Sequence, residues 1–70
     1  MINKWRQRRC VIDILANQSP LVLNEIFMRV VRTLGRGTTH SVQEVLEQLA
    51  EEGRVQIFYV YPEPFYQLAT

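Results

Sequence analysis

Residues 41–61 read SVQEVLEQLAEEGRVQIFYVY, and the change of period inside this stretch decides the fold. Val42, Val45, Leu46, Leu49 and Ala50 recur at i, i+3, i+4, i+7 and i+8, the spacing that gathers apolar side chains on one side of an α-helix. Gln43, Glu44, Glu47, Gln48 and Glu51 fall on the other side. Ser41-x-x-Glu44 matches a capping box, and Gly53 stands where a glycine releases a helix. Arg54 to Tyr61 is dense in β-branched and aromatic residues and reads as a strand. Two prolines in Pro62-Glu63-Pro64 remove the ladder donors, so this is a turn. Phe65 to Leu68 returns as a second strand and completes a hairpin.

Toward the N-terminus the pattern gives two more helices. Asn3 to about Ala16 reads as the first, its later half nearly continuous in apolar residues (Cys10, Val11, Ile12, Ile14, Leu15). Asn17-Gln18-Ser19-Pro20 ends it. Pro20-Leu21-Val22 is extended in character and suits one brief strand. From about Asn24 to Leu34, Ile26, Phe27, Val30, Val31 and Leu34 form a single stripe, closed by Gly35 and Gly37. Three such helices cannot bury their stripes in a flat array. They are expected to pack as a cluster, with the hairpin closing its open edge. Val42, Leu46 and Leu49 should then be buried with Ile12, Leu15, Ile26, Val31, Val55 and Leu68.

This order of helix, short strand, helix, turn, helix and hairpin resembles the winged-helix superfamily, a helix-turn-helix with a β-hairpin appended. The resemblance covers nearly the whole chain. It is most specific at Val42-x-x-x-Leu46-x-x-Leu49-x-Glu51-Glu52-Gly53-Arg54-Val55, followed by a hairpin closing on Tyr66-x-Leu68. Leu23-x-Glu25-Ile26 is similar to the opening of the family's second helix. Many relatives carry Ser or Thr just before that helix; here the position is Val22, which leaves Asn24 as the expected cap. The implied architecture is α+β: a three-helix cluster, a C-terminal hairpin wing and a short strand between the first two helices, spanning residues 1–70 as one domain.

Size and composition narrow the function. Seventy residues allow one core. With one cysteine, Cys10, no internal disulfide can form. The basic residues before Cys10 are followed by too short an apolar run for a signal sequence, since Asp13 interrupts it. No stretch approaches the roughly 18 apolar residues that span a bilayer. A cytoplasmic protein without membrane contact is the expectation. Nor is a catalytic or metal site expected. His40 and Cys10 are the only histidine and thiol and lie on different helices, without zinc-ligand spacing. Asp13, His40 and Ser41 show no triad signature. Gly35-Arg36-Gly37 is too short for a phosphate loop and follows a helix. Cys10 reads as a buried apolar residue and His40 as a first-turn surface residue. No cofactor, metal or small-molecule site is expected.

Charge points toward a partner. Net charge is +1 overall, yet residues 1–36 hold seven bases against two acids, a net +5, and residues 37–70 one base against five acids, a net −4. The bases Lys4, Arg6, Arg8, Arg9, Arg29, Arg32 and Arg36 form one candidate nucleic-acid-binding set, suited to phosphates. Bases at the start of a helix oppose its dipole. The plainer account of that cluster is a solubilising helix start, with Trp5 a core residue in register with Ile12. A second candidate set follows from the resemblance, which implies that the third helix enters the major groove and the wing touches the backbone. It comprises Thr39, His40, Ser41 and Gln43, with Arg54 at the wing base and Arg36 in the turn on phosphates. Glu44, Glu47 and Glu51 on that helix would repel phosphates. The hairpin supplies a rival. Ile57-Phe58-Tyr59-Val60-Tyr61 is apolar on both faces, so Phe58 and Val60, with Phe65, are candidates for a protein interface or a homodimer. The readings that stand are a non-enzymatic regulatory module that binds nucleic acid, or else a protein-interaction module or homodimerising subunit of a complex with no DNA role.

Overall fold

The computed structural model describes residues 4–60 and 62–69. The chain runs α1 (Lys4–Asn17), β1 (Leu21–Val22), α2 (Leu23–Leu34), α3 (Thr39–Glu51), β2 (Val55–Phe58) and β3 (Phe65–Leu68). Three helices pack on one another and against a three-stranded antiparallel sheet of order β1-β3-β2. The expected α+β class holds, as does the short strand between the first two helices. Asn3 and Tyr61, the expected outer limits of the first helix and of β2, lie outside the described residues.

Helix ends differ from expectation at two places, both for local reasons. Asn24 does not cap α2. The helix begins a residue earlier, at Leu23, with the extended residue Val22 at its N-cap position and no side-chain hydrogen bond there. β1 feeds straight into the helix, so the strand ladder fixes the entry that a cap would otherwise stabilise. In α3 the capping box is Thr38 with Ser41, not Ser41 with Glu44. The Ser41 N–H donates to Thr38 Oγ1 at 3.0 Å, and the Thr38 N–H donates to Ser41 Oγ at 3.2 Å. Ser41 here takes the N3 place that Glu or Gln fills in the usual reciprocal pair. Glu44 is left on the surface.

At the other end of α3 the glycine behaves as expected. Gly53 takes φ +77°. Its N–H donates to the Ala50 carbonyl at 3.0 Å, while the Arg54 N–H donates to the Leu49 carbonyl at 2.8 Å. These two bonds form a Schellman motif, which turns the chain directly into β2. β2 stops at Phe58, short of the expected limit, because the Val60 N–H donates back to the Phe58 carbonyl at 3.0 Å and leaves the ladder.

Register settles the two faces of the sheet. Leu21, Tyr66 and Ile57 lie side by side on one row, and Val22, Phe65 and Phe58 on the next. Successive residues of a strand point to opposite faces. The first row, with Val55 and Leu68, turns toward the helices. Val22, Phe65 and Phe58 share the outer face with Gln56 and Gln67.

The core consists of Cys10, Val11, Leu15, Leu21, Ile26, Val30, Val42, Val45, Leu46, Leu49, Val55 and Tyr66. Six of the nine expected core residues are in it; Ile12, Val31 and Leu68 are only half-buried. On α1 the buried line is Gln7, Cys10, Val11 and Leu15, turned one residue from the expected one. Gln7 is 1% exposed. Trp5 is not a core residue: at two positions from Gln7 it lies roughly 200° round the helix, and it is 79% exposed. It does share a side with Ile12, but that side flanks the core rather than facing it.

Candidate nucleic-acid interface

Gln7 and Ser41 lock α1 to the start of α3. Gln7 Nε2 donates to Ser41 Oγ at 3.0 Å, and the same hydroxyl donates to the Thr38 carbonyl at 3.0 Å. Ser41 is thus committed to the cap and to α1, which takes it out of the set of side chains able to reach a base.

A groove runs along the outer side of α1 and α2. Arg6, Arg8, Arg9, Arg29, Arg32 and Arg54 line it, and Asp13 is the one acid among its lining residues. Six of the chain's eight basic residues therefore share one concavity. The tertiary structure adds Arg54 to the five arginines of α1 and α2, because the Schellman turn at the end of α3 sets Arg54 at the groove. Lys4 lies elsewhere, in an open groove lined by Glu44, Glu47, Gln48 and Glu51 of α3. Arg36 is exposed in the turn between α2 and α3 and is not among the lining residues of the basic groove.

The arginines are not equivalent. Arg8 uses its fork on Glu52, Nη1 to Oε2 at 2.9 Å and Nη2 to Oε1 at 2.8 Å, the bidentate geometry that arginine and carboxylate favour. Hydrogen bonds from Arg8, with the charges of Arg8 and Arg54 adding to them, hold the Glu52 carboxyl below its ordinary pKa. Arg29 donates from Nε to Gln18 Oε1 at 3.1 Å and from Nη1 to the Glu25 carbonyl at 3.2 Å. Arg9 and Arg32 have no side-chain hydrogen bond or ion pair to any described residue and are exposed. Arg8 also stacks on Trp5, its guanidinium carbon 5.9 Å from the ring centroid. Cys10 lies in the groove wall, where burial pushes its thiol pKa up.

On α3, Thr39, His40 and Gln43 are exposed. His40 Nε2 lies 3.3 Å from Glu44 Oε1, and Gln43 Nε2 donates to Glu47 Oε2 at 3.5 Å. Glu44, Glu47 and Glu51 are all exposed. On the sheet, Phe58 is 43% and Val60 53% exposed, and Phe65 is half-buried.

Among solved structures, the chain superposes on the peroxide stress regulator of Campylobacter jejuni with a TM-score of 0.84 over 93% of this chain, at 23% identity. It superposes on HOP2 with a TM-score of 0.78 over 89% of this chain and 97% of that one, at 22% identity. The HOP2 structure concerns DNA recognition and protein interaction domains and homologous DNA pairing. The order of elements, the cap-to-turn geometry of α3 and these superpositions agree. The fold is a winged helix.

This winged helix spans 49% of the Campylobacter regulator. No protein-family model matches it, and no curated protein matches its sequence. In this fold α3 is the third helix of the cluster and β2–β3 form the hairpin wing. The acidic surface lies on α3, and the basic groove lies on the side formed by the two preceding helices. Among the described residues, no helix of the winged helix is long and apolar enough to cross a membrane.

Proposed function

We propose that this winged helix is a small non-enzymatic regulatory module that holds nucleic acid by its phosphates in the groove along α1 and α2. The observation that carries the proposal is that six arginines line that groove with Asp13 as the one lining acid, while Glu52 is taken up by Arg8. Cations meeting phosphates supply most of the sequence-independent affinity for nucleic acid. Such contacts position a protein without reading bases. Arg9 and Arg32 are the side chains best placed to bind phosphate, since their donors are uncommitted. Arg8 braces the groove wall through Glu52 instead, and Arg29 divides its donors between the protein and the groove. Glu44, Glu47 and Glu51 argue against seating α3 in the major groove, for the same electrostatic reason. One structural neighbour is a peroxide stress regulator and the other, HOP2, is described by DNA recognition and pairing, which lends the reading support. It needs no cofactor and suits a cytoplasmic protein.

Duplex DNA of random sequence, titrated at low salt and then over a salt series, tests the reading. Arg9→Gln and Arg32→Gln are each expected to weaken binding and to flatten the salt slope by about one unit per lost contact. Gln43→Ala is expected to leave affinity and site discrimination unchanged. Loss of discrimination in Gln43→Ala, with Arg9→Gln silent, would mean that α3 reads DNA after all.

A second reading rests on a different surface. The outer row Val22, Phe65 and Phe58 is followed, two residues past the end of β2, by the exposed Val60. Apolar groups grouped on one exposed face mark contact surfaces, and a protein partner or a second copy of the chain would cover them.

A further inference from the structure

The basic groove contains a residue that phosphate binding does not need. Trp5 is the chain's single tryptophan, lines the groove beside Arg6, Arg9 and Arg32, and is 79% exposed. An indole this exposed forgoes the stabilisation that a core position would bring. The ring nevertheless has a cationic neighbour. The Arg8 guanidinium carbon lies 5.9 Å from its centroid, and Arg8 is itself fixed to Glu52 by hydrogen bonds of 2.8 and 2.9 Å. Arg9 follows Trp5 by four residues, so ring and cation are neighbours one turn apart on the same side of α1.

An exposed aromatic beside Arg9 and Arg32, cations with no partner among the described residues, suits a nucleotide whose base is open. The bases of a duplex stack on each other and present no free face to a protein side chain. Unpaired bases do, and stacking on an aromatic ring tolerates any sequence because every base has a π-face. We propose that the groove takes single-stranded nucleic acid, one unpaired base stacking on Trp5 while Arg9 and Arg32 hold the flanking phosphates. This inference rests on the proposed nucleic-acid reading and narrows it to a strand or strand end with open bases.

Because Trp5 is the only tryptophan, its emission reports on this one position. The full chain is titrated with oligo(dT) and oligo(rU) of about twelve nucleotides, within the range such sites cover, and with a duplex of the same length. Anisotropy of the labelled nucleic acid measures binding in parallel. The expected result is strong quenching of tryptophan emission by the single strands and little by the duplex. Quenching by both single strands assigns the site to open bases on either sugar; quenching by one alone also supports stacking and names the sugar. Trp5→Ala should weaken single-strand binding roughly five- to a hundredfold and leave duplex affinity within about twofold. Arg9→Gln should weaken every ligand yet retain the quench at saturation. A circular-dichroism melt confirms that Trp5→Ala still folds, as an exposed position should. If all three ligands bind but none quenches, and Trp5→Ala binds the single strands normally, the stacking inference falls and the groove reading survives. Should no ligand bind even at low salt, both fall together.

Discussion

Gln7 Nε2 donates to Ser41 Oγ at 3.0 Å across 34 residues of sequence. Gln7 is the one polar residue in the buried set of α1. Its amide is satisfied only because Ser41 turns inward as the N3 residue of the Thr38 cap. The bond therefore ties the orientation of α1, and with it the basic groove, to the start of α3. Gln7→Ala is expected to cost about 1–3 kcal/mol, and Ser41→Ala about 0.5–2 kcal/mol through loss of the cap. Because the two share a contact, the double variant should cost less than the sum of the single ones. Urea denaturation of the four proteins measures the coupling, and strict additivity would show that the two side chains act independently.

The centre of the helical cluster should be far less forgiving. Leu46 is completely buried among residues of the core. Leu46→Ala should cost about 2–5 kcal/mol, a large share of the stability available to a domain of this size. The checking measurement is the thermal melt, and an unchanged melting temperature would remove Leu46 from the core.

Acid should weaken the clamp between α1 and the end of α3. Arg8 lowers the pKa of Glu52 in the folded chain. A carboxyl with a depressed folded pKa contributes stability that is present above its unfolded value and is lost as pH falls through the folded one. Glu52→Gln should thus melt below the parent at neutral pH. The gap should close as pH drops below about 4, near the ordinary glutamate range. Melting curves of both proteins across that range provide the check; a gap independent of pH would mean that protonation of Glu52 is not linked to folding.

The outer sheet face can be tested without disturbing the core. Phe58 faces Phe65 across the β2–β3 ladder on that outer side and is 43% exposed. If this face joins two copies, the parent should show concentration-dependent association in sedimentation, and Phe58→Lys should stay monomeric with its melting temperature nearly unchanged. A parent that remains monomeric at every concentration rules out the homodimer.

Most of the fold was legible in the chain because the signals involved are local. The i, i+3, i+4, i+7 spacing of α3, the glycine that follows it and the two prolines of the hairpin turn each act within a few residues. Those short-range constraints were enough to order the elements and to indicate a winged helix. The division of charge between the two halves was likewise plain in the residues. Rotation of α1 was not. Its apolar residues wrap so much of the helix that several core-facing sides are compatible with the pattern, and contact with α3 selects the one that buries Gln7 and exposes Trp5. Polar satisfaction of Gln7 depends on Ser41, 34 residues away, which no local pattern reveals. Strand parity in β2 was equally open, since Ile57 to Val60 is apolar at every position; pairing with β3, whose Tyr66 faces the helices, resolves it and leaves Phe58 outside. The composition of the basic groove has the same origin. Arg54 belongs to the acidic half of the sequence, and only the Schellman turn at Gly53 brings it to the arginines of α1 and α2, while the Arg8–Glu52 pair withdraws one arginine from that set. Long-range contacts of this kind are decided by how the helices and sheet pack together, because packing must satisfy every buried surface at once.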